Sequence, residues 1–237
     1  MNILITGADR GLGLSLTKKM LQRGNTVFAG QFLPNWSELD ELLKEFPETL
    51  KIIPLDVATD ESVINAEKIV AESVDCLDVL IGNAGIAGQR DWDFTNFTDT
   101  EMMMQVYNVN AIGNVRLVEQ FMPLLKQGTT RKICLVSSEA GSIAHCNREN
   151  FHWYGMTKAA LNRYAKILFN RHRKEDFKFR LYHPGWIKSY MGGDTITEMA
   201  TYTADEGADF AIDYFFDKQI NEDELVLYTY DGKVMNW

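Results

Sequence analysis

Residues 2–13 of the chain read NILITGADRGLG, and they indicate the fold class. A short apolar run is followed by Gly7, Gly11 and Gly13, and then by a segment with helical periodicity. A helix that follows a strand and a glycine-rich turn can bind an anion at its amino end. The first backbone N–H groups of the helix are free there, and the positive end of the helix dipole lies there. We expect Gly7 to allow the tight exit from the strand, and Gly11 and Gly13 to let the helix approach a pyrophosphate. An ordinary glycine-rich turn is the alternative.

Outward from that stretch, short apolar strands alternate with amphipathic helices. The predicted strands are residues 2–5, 26–29, 51–55, 79–82, 132–136, 180–183 and 225–228. The predicted helices are residues 12–22, 37–46, 60–73, 99–126, 153–171 and 205–216, with capping boxes at 98–101 and 203–206. This alternation predicts an α/β fold of the doubly wound Rossmann type, with a mostly parallel sheet of about seven strands and its site at their carboxyl ends.

Length and composition fit a globular enzyme-sized unit. The 237 residues are 46% hydrophobic and 24% charged and contain no repeat or linker, so we expect one domain, residues 1–237. Three cysteines without a CxxC pair argue against a disulfide framework. Because the chain opens directly on a strand and its apolar runs are short, we expect a cytoplasmic protein without a membrane segment.

The net charge of −9 disfavours nucleic acid and anionic membranes as partners. The chain nevertheless contains one cluster of basic residues: Arg171, His172, Arg173, Lys174, Lys178 and Arg180. We interpret it as a helix end and a solvated loop, where cations favour the dipole. Binding of phosphate or nucleic acid is the alternative.

Two further predicted strand ends carry small or polar residues. Asp56 and Val57 follow the third strand, where the carboxylate could accept from an adenine amino group. Asn83, Ala84 and Gly85 follow the fourth strand, where a ribose could lie against the backbone. Each could be an ordinary tight turn. Their convergence on the glycine loop at one sheet edge favours a dinucleotide site.

The choice between NAD and NADP depends on the end of the second strand, where an acid would bind the ribose hydroxyl. Residues 27–32, VFAGQF, contain none, and Gln31 occupies the selecting position. Arg10, in the glycine loop, could pair with a 2′-phosphate or be a solvated loop arginine. We therefore expect NADP as the cofactor, with NAD possible, held by the loop residues Gly7, Asp9, Arg10, Gly11, Leu12 and Gly13.

A second group of residues suggests acid–base chemistry. Tyr154 and Lys158 lie one helical turn apart, and a nearby cation would lower the pKa of a phenol toward working pH. Ser138 follows the fifth strand, so its hydroxyl should emerge at the same sheet edge. Asn110 lies within a predicted helix, where it could bend the helix or hold a water near Lys158. The alternatives are a surface Tyr–Lys pair, a loop serine and a buried amide bonded to backbone.

These motifs, in this order, resemble the short-chain dehydrogenase/reductase family across the whole chain: TGADRGLG, LDV, NAG, VNAIG, VSSEAG and YGMTK. The resemblance implies that Tyr154 is the catalytic acid/base and that Ser138 orients the carbonyl. It implies that Lys158 lowers the pKa of Tyr154 and holds the ribose. Asn110 would support a proton relay through water.

The C-terminal third, with HPGWIKS at 183–189 and YDGKVMNW at 230–237, is similar to the sniffer-type carbonyl reductases and C-factor proteins. This similarity implies that Pro184, Gly185 and Ile187 line the nicotinamide and that Ser189 contacts its carboxamide. Residues 186–204 should form a mobile lid with a hinge at Gly192 and Gly193.

Other residues near the expected site are less diagnostic. Residues 142–151 could form one wall of the substrate pocket. Neither His145 in this stretch nor His152 directly after it has a metal-ligand partner at a useful spacing, so we expect no metal. Pocket lining and core packing explain the aromatic residues equally well: Trp92, Phe94, Phe97, Trp153 and Trp186.

These features together predict an oxidoreductase that transfers a hydride between a nicotinamide cofactor and a carbonyl/alcohol pair, acting on a small molecule. The alternative is a dinucleotide-binding regulatory protein with little turnover, since some relatives in this branch act in signalling. A nucleic-acid binder is a third reading, which the net charge opposes. A homodimer or homotetramer is expected only by analogy with the family.

Overall fold

A computed structural model describes residues 1–88, 99–191, 193, 195–217 and 219–237. Its strands are β1 (Asn2–Thr6), β2 (Thr26–Gln31), β3 (Leu50–Pro54), β4 (Val79–Gly82), β5 (Lys132–Val136), β6 (Lys178–His183), β7 (Leu227–Thr229) and β8 (Val234–Met235). Its α-helices are α1 (Gly11–Gln22), α2 (Glu38–Glu45), α3 (Asp60–Ser73), α4 (Thr100–Tyr107), α5 (Gly113–Gln127), α6 (His152–His172) and α7 (Ala204–Phe216).

One sheet runs through the molecule in the order β3-β2-β1-β4-β5-β6-β7-β8. Every pairing from β3 to β7 is parallel, and only β8 is antiparallel to its neighbour. The strand order reverses between β1 and β4, so the crevice of a doubly wound sheet lies at their carboxyl ends. The predicted fold class is confirmed.

Two apolar layers cover the sheet. One includes residues of α3, α5 and α6 together with Leu4, Leu80 and Leu135. The other includes residues of α1, α2 and α7 together with Ile5 and Ile81. Neighbouring strand residues point to opposite faces, so both faces of the central strands are buried, as a parallel sheet requires.

The amino ends of α7 and α4 test the two predicted capping boxes. α7 begins with the predicted capping box, in which the Thr203 hydroxyl accepts from the Glu206 N–H at 3.2 Å and the Glu206 carboxylate accepts from the Thr203 N–H at 2.9 Å. At α4 the prediction of a box at 98–101 is wrong in its cap residue. Asp99 caps this helix by accepting from the Met102 N–H at 3.0 Å, and residue 98 lies outside the described residues.

The predicted helix at 99–126 is interrupted. A π-helical turn, Asn108–Ile112, separates α4 from α5. Such a turn inserts an extra residue into the helix and is often found at functional sites. Asn110 lies within this π-helical turn, and its side chain is buried.

The sequence prediction missed β8. Gly232, with φ of +80°, and Asp231 form the turn that folds β8 onto β7, and Tyr228 pairs with Val234. An Asp–Gly pair between two short apolar pieces is a hairpin signal that a strand of two residues makes easy to overlook.

Two residues of the basic cluster at 171–180, His172 and Arg180, are buried, whereas the other four are exposed. Arg180 is only 2% exposed and bonds to both carboxylate oxygens of Glu222, at 2.6 and 2.8 Å. His172 ends α6 beside Glu175. None of the helices in the described ranges is long and apolar enough to cross a membrane.

Candidate active site

The glycine loop joins β1 to α1 at the carboxyl edge of the sheet. Gly7 has φ of +60°, the left-handed conformation that allows the predicted sharp exit from β1. A Cβ on Gly13 would lie 2.0 Å from the Gly7 carbonyl oxygen, so Gly13 is needed for the contact of helix and loop. We expected Gly13 to be a glycine so that a pyrophosphate could approach. In the structure, the contact with the Gly7 carbonyl oxygen is what requires a glycine at this position. The amino end of α1, at Gly11, still opens onto the crevice.

Two side chains of the loop turn inward. The buried Asp9 carboxylate accepts from the Phe32 N–H at 3.1 Å and so ties the loop to the end of β2. Leu12 is buried in the apolar layer of α1. Only the backbone of these two residues is therefore left to contact a cofactor.

Arg10 has a different environment. Its guanidinium carbon lies 4.9 Å from the ring centroid of Trp36 and 5.1 Å from that of Tyr190. Its Nη1 atom is buried and has no hydrogen-bond partner among the described residues. Buried donors are almost always paired in native proteins, so an unpaired guanidinium nitrogen beside the glycine loop fits an anionic ligand group.

The end of β4 meets the glycine loop, and the end of β3 lies at the same edge of the parallel sheet. The Asn83 amide donates to the Thr6 and Gly7 carbonyl oxygens at 2.9 and 3.2 Å, and the Ala84 N–H donates to the Thr6 hydroxyl at 2.9 Å. Asp56 accepts from the N–H of Ala58 at 2.9 Å. The predicted convergence of these strand ends at one edge is present.

Val57 and Gly85 lie on the π-turn side of this edge. Val57 is buried where Gly113, the first residue of α5, packs closely against it. A Cβ on Gly85 would lie 3.2 Å from the Asn110 Oδ1 atom and 3.7 Å from the Lys158 Nζ atom. Gly85 therefore marks the point where β4, the π turn and α6 meet.

Tyr154 and Lys158 are both buried on α6, at 8% and 2% exposed. The Lys158 ammonium donates to the Val136 carbonyl oxygen at 2.9 Å and lies 5.5 Å from the centroid of the Tyr154 ring. Ser138 follows β5 at the same edge and caps the short 3₁₀ turn Glu139–Gly141. The structure thus brings Ser138, Tyr154 and Lys158 together.

The pKa values of this pair reflect burial above all. Burial lowers the pKa of Lys158 to about 8. Burial raises the pKa of Tyr154, and the hydrogen bond with Ser138 opposes the rise. Burial dominates the pKa of Tyr154 in this structure, and the lowering of that pKa by Lys158 stays a prediction. Tyr154 is held as a phenol.

Asn110 is fully buried inside the π turn. Its amide accepts from the Ile86 N–H and donates to the Ile86 carbonyl oxygen, both at 2.9 Å, and donates to the Thr157 hydroxyl at 3.1 Å. Its own carbonyl oxygen accepts from Asn114 at 2.9 Å. The alternative reading of Asn110, a buried amide bonded to backbone, describes its side chain, which joins the loop after β4 to α6.

The segment after β6 closes over this edge. Gly185 has φ of +78°, and a Cβ there would lie 2.8 Å from the Tyr230 ring, which explains the glycine after Pro184. Ile187 is buried against Gly207 of α7. Gly11 faces Ser189, since a Cβ on Gly11 would lie 3.6 Å from the Ser189 Cβ.

Backbone hydrogen bonds join the two ends of the predicted lid to each other and tie its first part to the loop after β4. The Lys188 N–H donates to the Tyr202 carbonyl oxygen at 2.7 Å, and the Ala87 N–H donates to the Met191 carbonyl oxygen at 3.3 Å. Of the predicted hinge pair, Gly193 has φ of +138°, whereas Gly192 lies outside the described residues.

Among the aromatic residues named from the sequence, Trp153 is buried and Trp186 is half exposed. Trp92, Phe94 and Phe97 lie outside the described residues. In the ranges that the structure describes, no three His, Cys, Asp or Glu side chains are grouped to hold a metal ion.

Sequence reasoning missed Glu139. Its Oε2 atom accepts from the Ser138 hydroxyl at 2.6 Å, and its Oε1 atom pairs with Arg148. Burial favours the protonated acid, but the bonds from Ser138 and Arg148 and the charge of His183 hold the pKa of Glu139 below its usual value. The signal was a charged residue directly after the Ser–Ser pair.

Residues 1–200 match the family model for short chain dehydrogenases. The chain belongs to this family and is therefore an oxidoreductase by class. It is 36% identical over 207 residues to an uncharacterized oxidoreductase of Schizosaccharomyces pombe, covering 84% of this chain and 81% of that one. It is 36% identical over 121 residues to the C-signal protein of Myxococcus xanthus, covering 51% of this chain and 72% of that one.

Several of the similar solved structures are carbonyl reductases. The NADPH-bound carbonyl reductase from chicken fatty liver is 30% identical, with a TM-score of 0.87 and coverage of 100% of this chain and 98% of that one. The carbonyl reductase Sniffer of D. melanogaster is 25% identical, with a TM-score of 0.88 and coverage of 100% and 99%. The predicted resemblance to the sniffer and C-factor branch is confirmed.

Proposed function

We propose that this protein is an NADP(H)-dependent oxidoreductase that interconverts a carbonyl and an alcohol, with Tyr154 as the proton donor. The observation that carries the proposal is the burial of Tyr154, Lys158 and Ser138 together at the edge where the glycine loop ends. A phenol kept protonated in a crevice suits the donation of a proton to a carbonyl oxygen.

The cofactor assignment rests on Arg10 and on the relatives. The unpaired, buried Nη1 atom of Arg10 lies where a 2′-phosphate could accept from it, and a structural neighbour was solved with NADPH. When bound, the nicotinamide supplies the hydride. The backbone N–H groups from Gly11 to Gly13 would hold the pyrophosphate, and Lys158 would donate to the ribose. Preference for NADP over NAD is part of this proposal.

The remaining residues would position the reactants. Ser138 would orient the carbonyl, and Asn110 would hold the loop after β4 against α6. The strand-end residues Asp56, Val57, Asn83, Ala84 and Gly85 would border the adenosine and the ribose. Pro184, Gly185, Ile187 and Ser189 would border the nicotinamide, under a lid at about 186–204 of a single domain.

A regulatory protein with little turnover is the second candidate. The similarity to C-signal, over 51% of this chain, favours it. The presence of all of Ser138, Tyr154 and Lys158 favours the enzyme. The substrate, the cytoplasmic location and the homodimer or homotetramer stay predictions.

The test is NADPH oxidation with a panel of aldehydes and ketones, comparing the wild-type protein with Tyr154→Phe. Losing a general acid should reduce kcat at least about a hundredfold, while NADPH affinity stays within about twofold. Tyr164→Phe, the same change on the same helix, is the matched control and should leave kcat unchanged. Wild-type kinetics in Tyr154→Phe would contradict the proposal, and no oxidation by any form would favour the regulatory candidate.

A further inference from the structure

Three side chains from different parts of the chain meet beside the glycine loop. Arg10 lies between β1 and α1, Trp36 lies between β2 and α2, and Tyr190 lies after β6. The rings of Trp36 and Tyr190 meet edge to face, with centroids 4.8 Å apart and an interplanar angle of 74°. The guanidinium carbon lies 4.9 Å from the first centroid and 5.1 Å from the second. These distances suit aromatic and cation–π pairing, so the two rings together restrict the guanidinium.

Two hydrogen-bond donors of this cluster have no partner. The Nη1 atom of Arg10 and the Nε1 atom of Trp36 are both buried and bond to no acceptor among the described residues. Lys188 borders the same cavity between α1 and the lid, but its ammonium pairs with the Glu198 carboxylate at 3.5 Å. Because buried donors are almost always paired in native proteins, the two free donors fit an anionic group of a ligand.

We propose that Tyr190 and Trp36 are positioning residues for the 2′-phosphate of NADP, because they hold the Arg10 guanidinium in place before the phosphate arrives. The proposal rests on the proposed function, in which Arg10 pairs with this phosphate. A free arginine side chain loses rotational freedom when it binds an anion, whereas one held between two rings has already lost much of it. Since Tyr190 belongs to the lid, residues 186–204, the choice of coenzyme is linked to the lid.

Backbone hydrogen bonds on both sides of Tyr190 provide the link. The Lys188 N–H donates to the Tyr202 carbonyl oxygen at 2.7 Å, and the Thr197 N–H donates to the Ser189 carbonyl oxygen at 3.1 Å. A phosphate that fixes the guanidinium also fixes the Tyr190 ring against it. Coupling between two sites is reciprocal in free energy, so the phosphate should make these two amides open less often.

The first experiment is calorimetric titration of NADPH and NADH into Tyr190→Ala. The Kd of NADPH should rise about threefold to tenfold and that of NADH by less than about twofold, because only NADPH carries the phosphate. Trp36→Leu should show the same selective loss. Tyr190→Phe keeps the ring and should keep the wild-type ratio of the two Kd values. The control Met199→Ala changes a lid side chain that is 84% exposed and should also keep it.

A merely structural role of Tyr190 predicts a different pattern. Loosening of the lid alone would weaken both coenzymes to the same extent, and the ratio of their Kd values would not change. That result, or an equally large selective loss in Tyr190→Phe, would overturn the proposal.

The second experiment needs neither a nicotinamide nor turnover. Amide hydrogen exchange is compared with adenosine 2′,5′-bisphosphate and with 5′-AMP at equal saturation, since these probes differ only in the 2′-phosphate. The bisphosphate should slow exchange at the Lys188 and Thr197 amides more than 5′-AMP does, and Tyr190→Ala should abolish the difference. Equal protection by both nucleotides in the wild type would overturn the link to the lid.

Arg10→Ala separates the failure of this proposal from the failure of the coenzyme assignment. If Arg10→Ala weakens NADPH selectively but Tyr190→Ala does not, the positioning role is overturned and the preference for NADP stands. If Arg10→Ala weakens both coenzymes equally, the proposed preference for NADP is itself overturned.

Discussion

The two ends of strand β5 place buried cations in opposite situations. Near its amino end, Lys132 donates to the Phe215 carbonyl oxygen at 2.6 Å, and the adjacent Arg180 bonds to Glu222. At its carboxyl end, Lys158 donates to the Val136 carbonyl oxygen, and no described carboxylate pairs with it. A carboxylate thus neutralises Arg180 at one end, whereas Lys158 at the other end bonds only to a backbone carbonyl oxygen, as Lys132 does.

This difference indicates that the paired Arg180 serves stability and that Lys158 serves function. A buried charge with a partner is costly to disrupt, while a buried charge without one destabilises the fold by itself. An unpaired buried cation at the carboxyl edge is retained, we infer, because a ligand uses it. The same kind of substitution should therefore have opposite effects at the two ends.

At the amino end, Glu222→Gln should destabilise the protein. It leaves the buried Arg180 without its carboxylate, which should reduce the free energy of unfolding by about 2–4 kcal/mol. Urea unfolding measures the loss. The specific activity of the folded protein should not change, and Glu224→Gln, on a neighbouring carboxylate, is the control. A stable Glu222→Gln protein would show that this end is not held by the pair.

At the carboxyl end, Lys158→Met should stabilise the protein and abolish its turnover. With a pKa of about 8 instead of its usual 10.5, burial of the charge costs the fold roughly 1–3 kcal/mol at neutral pH, after allowance for the lost bond to Val136. The free energy of unfolding should rise by about that amount. Lys166→Met, on the same helix, should change it by less than about 0.5 kcal/mol.

The pH dependence of the free energy of unfolding shows whether the Lys158 charge destabilises the fold. Folded Lys158 binds fewer protons than unfolded lysine between pH 8 and 10.5, so the stability of the wild type should rise with pH there. Below pH 8 the full cost of the buried charge is present. The advantage of Lys158→Met should therefore shrink above pH 8. An advantage that is constant with pH would mean that the charge is not its cause.

The smallest effect concerns Arg10. Arg10→Ala should weaken NADPH binding about ten- to a hundredfold and NADH binding far less, because only the first has a 2′-phosphate to pair with the guanidinium. Calorimetric titration with both coenzymes measures the difference, and Arg23→Ala, at the exposed end of α1, is the control. Equal losses for both coenzymes would remove the reason for preferring NADP.

Local patterns were sufficient where one segment decides its own structure. β4 and α3 lie at the predicted bounds, because an apolar run between turns and an amphipathic run after Thr59 are complete local signals. The glycine loop was found for the same reason. Arg180 was placed in a surface cluster because nothing near it in sequence shows that Glu222 neutralises it within the sheet.

The candidate site was only partly predictable. Ser138, Tyr154 and Lys158 follow from strand ends and helical spacing, and the structure brings them together. The partners of these residues come from other elements: Val136 for Lys158, Ile86 for Asn110 and Arg148 for Glu139. Contacts across elements determine desolvation, so the direction of the Tyr154 pKa could not be predicted from its spacing to Lys158.

A crystal structure of the protein with NADP bound would show whether the coenzyme occupies the crevice beside Tyr154 and Lys158. The nicotinamide should lie between the carboxyl ends of β4 and β5, with the Lys158 ammonium within hydrogen-bond distance of the ribose and the Tyr154 hydroxyl facing the ring. A crevice filled by the protein's own side chains, or a coenzyme bound away from Tyr154 and Lys158, would contradict it.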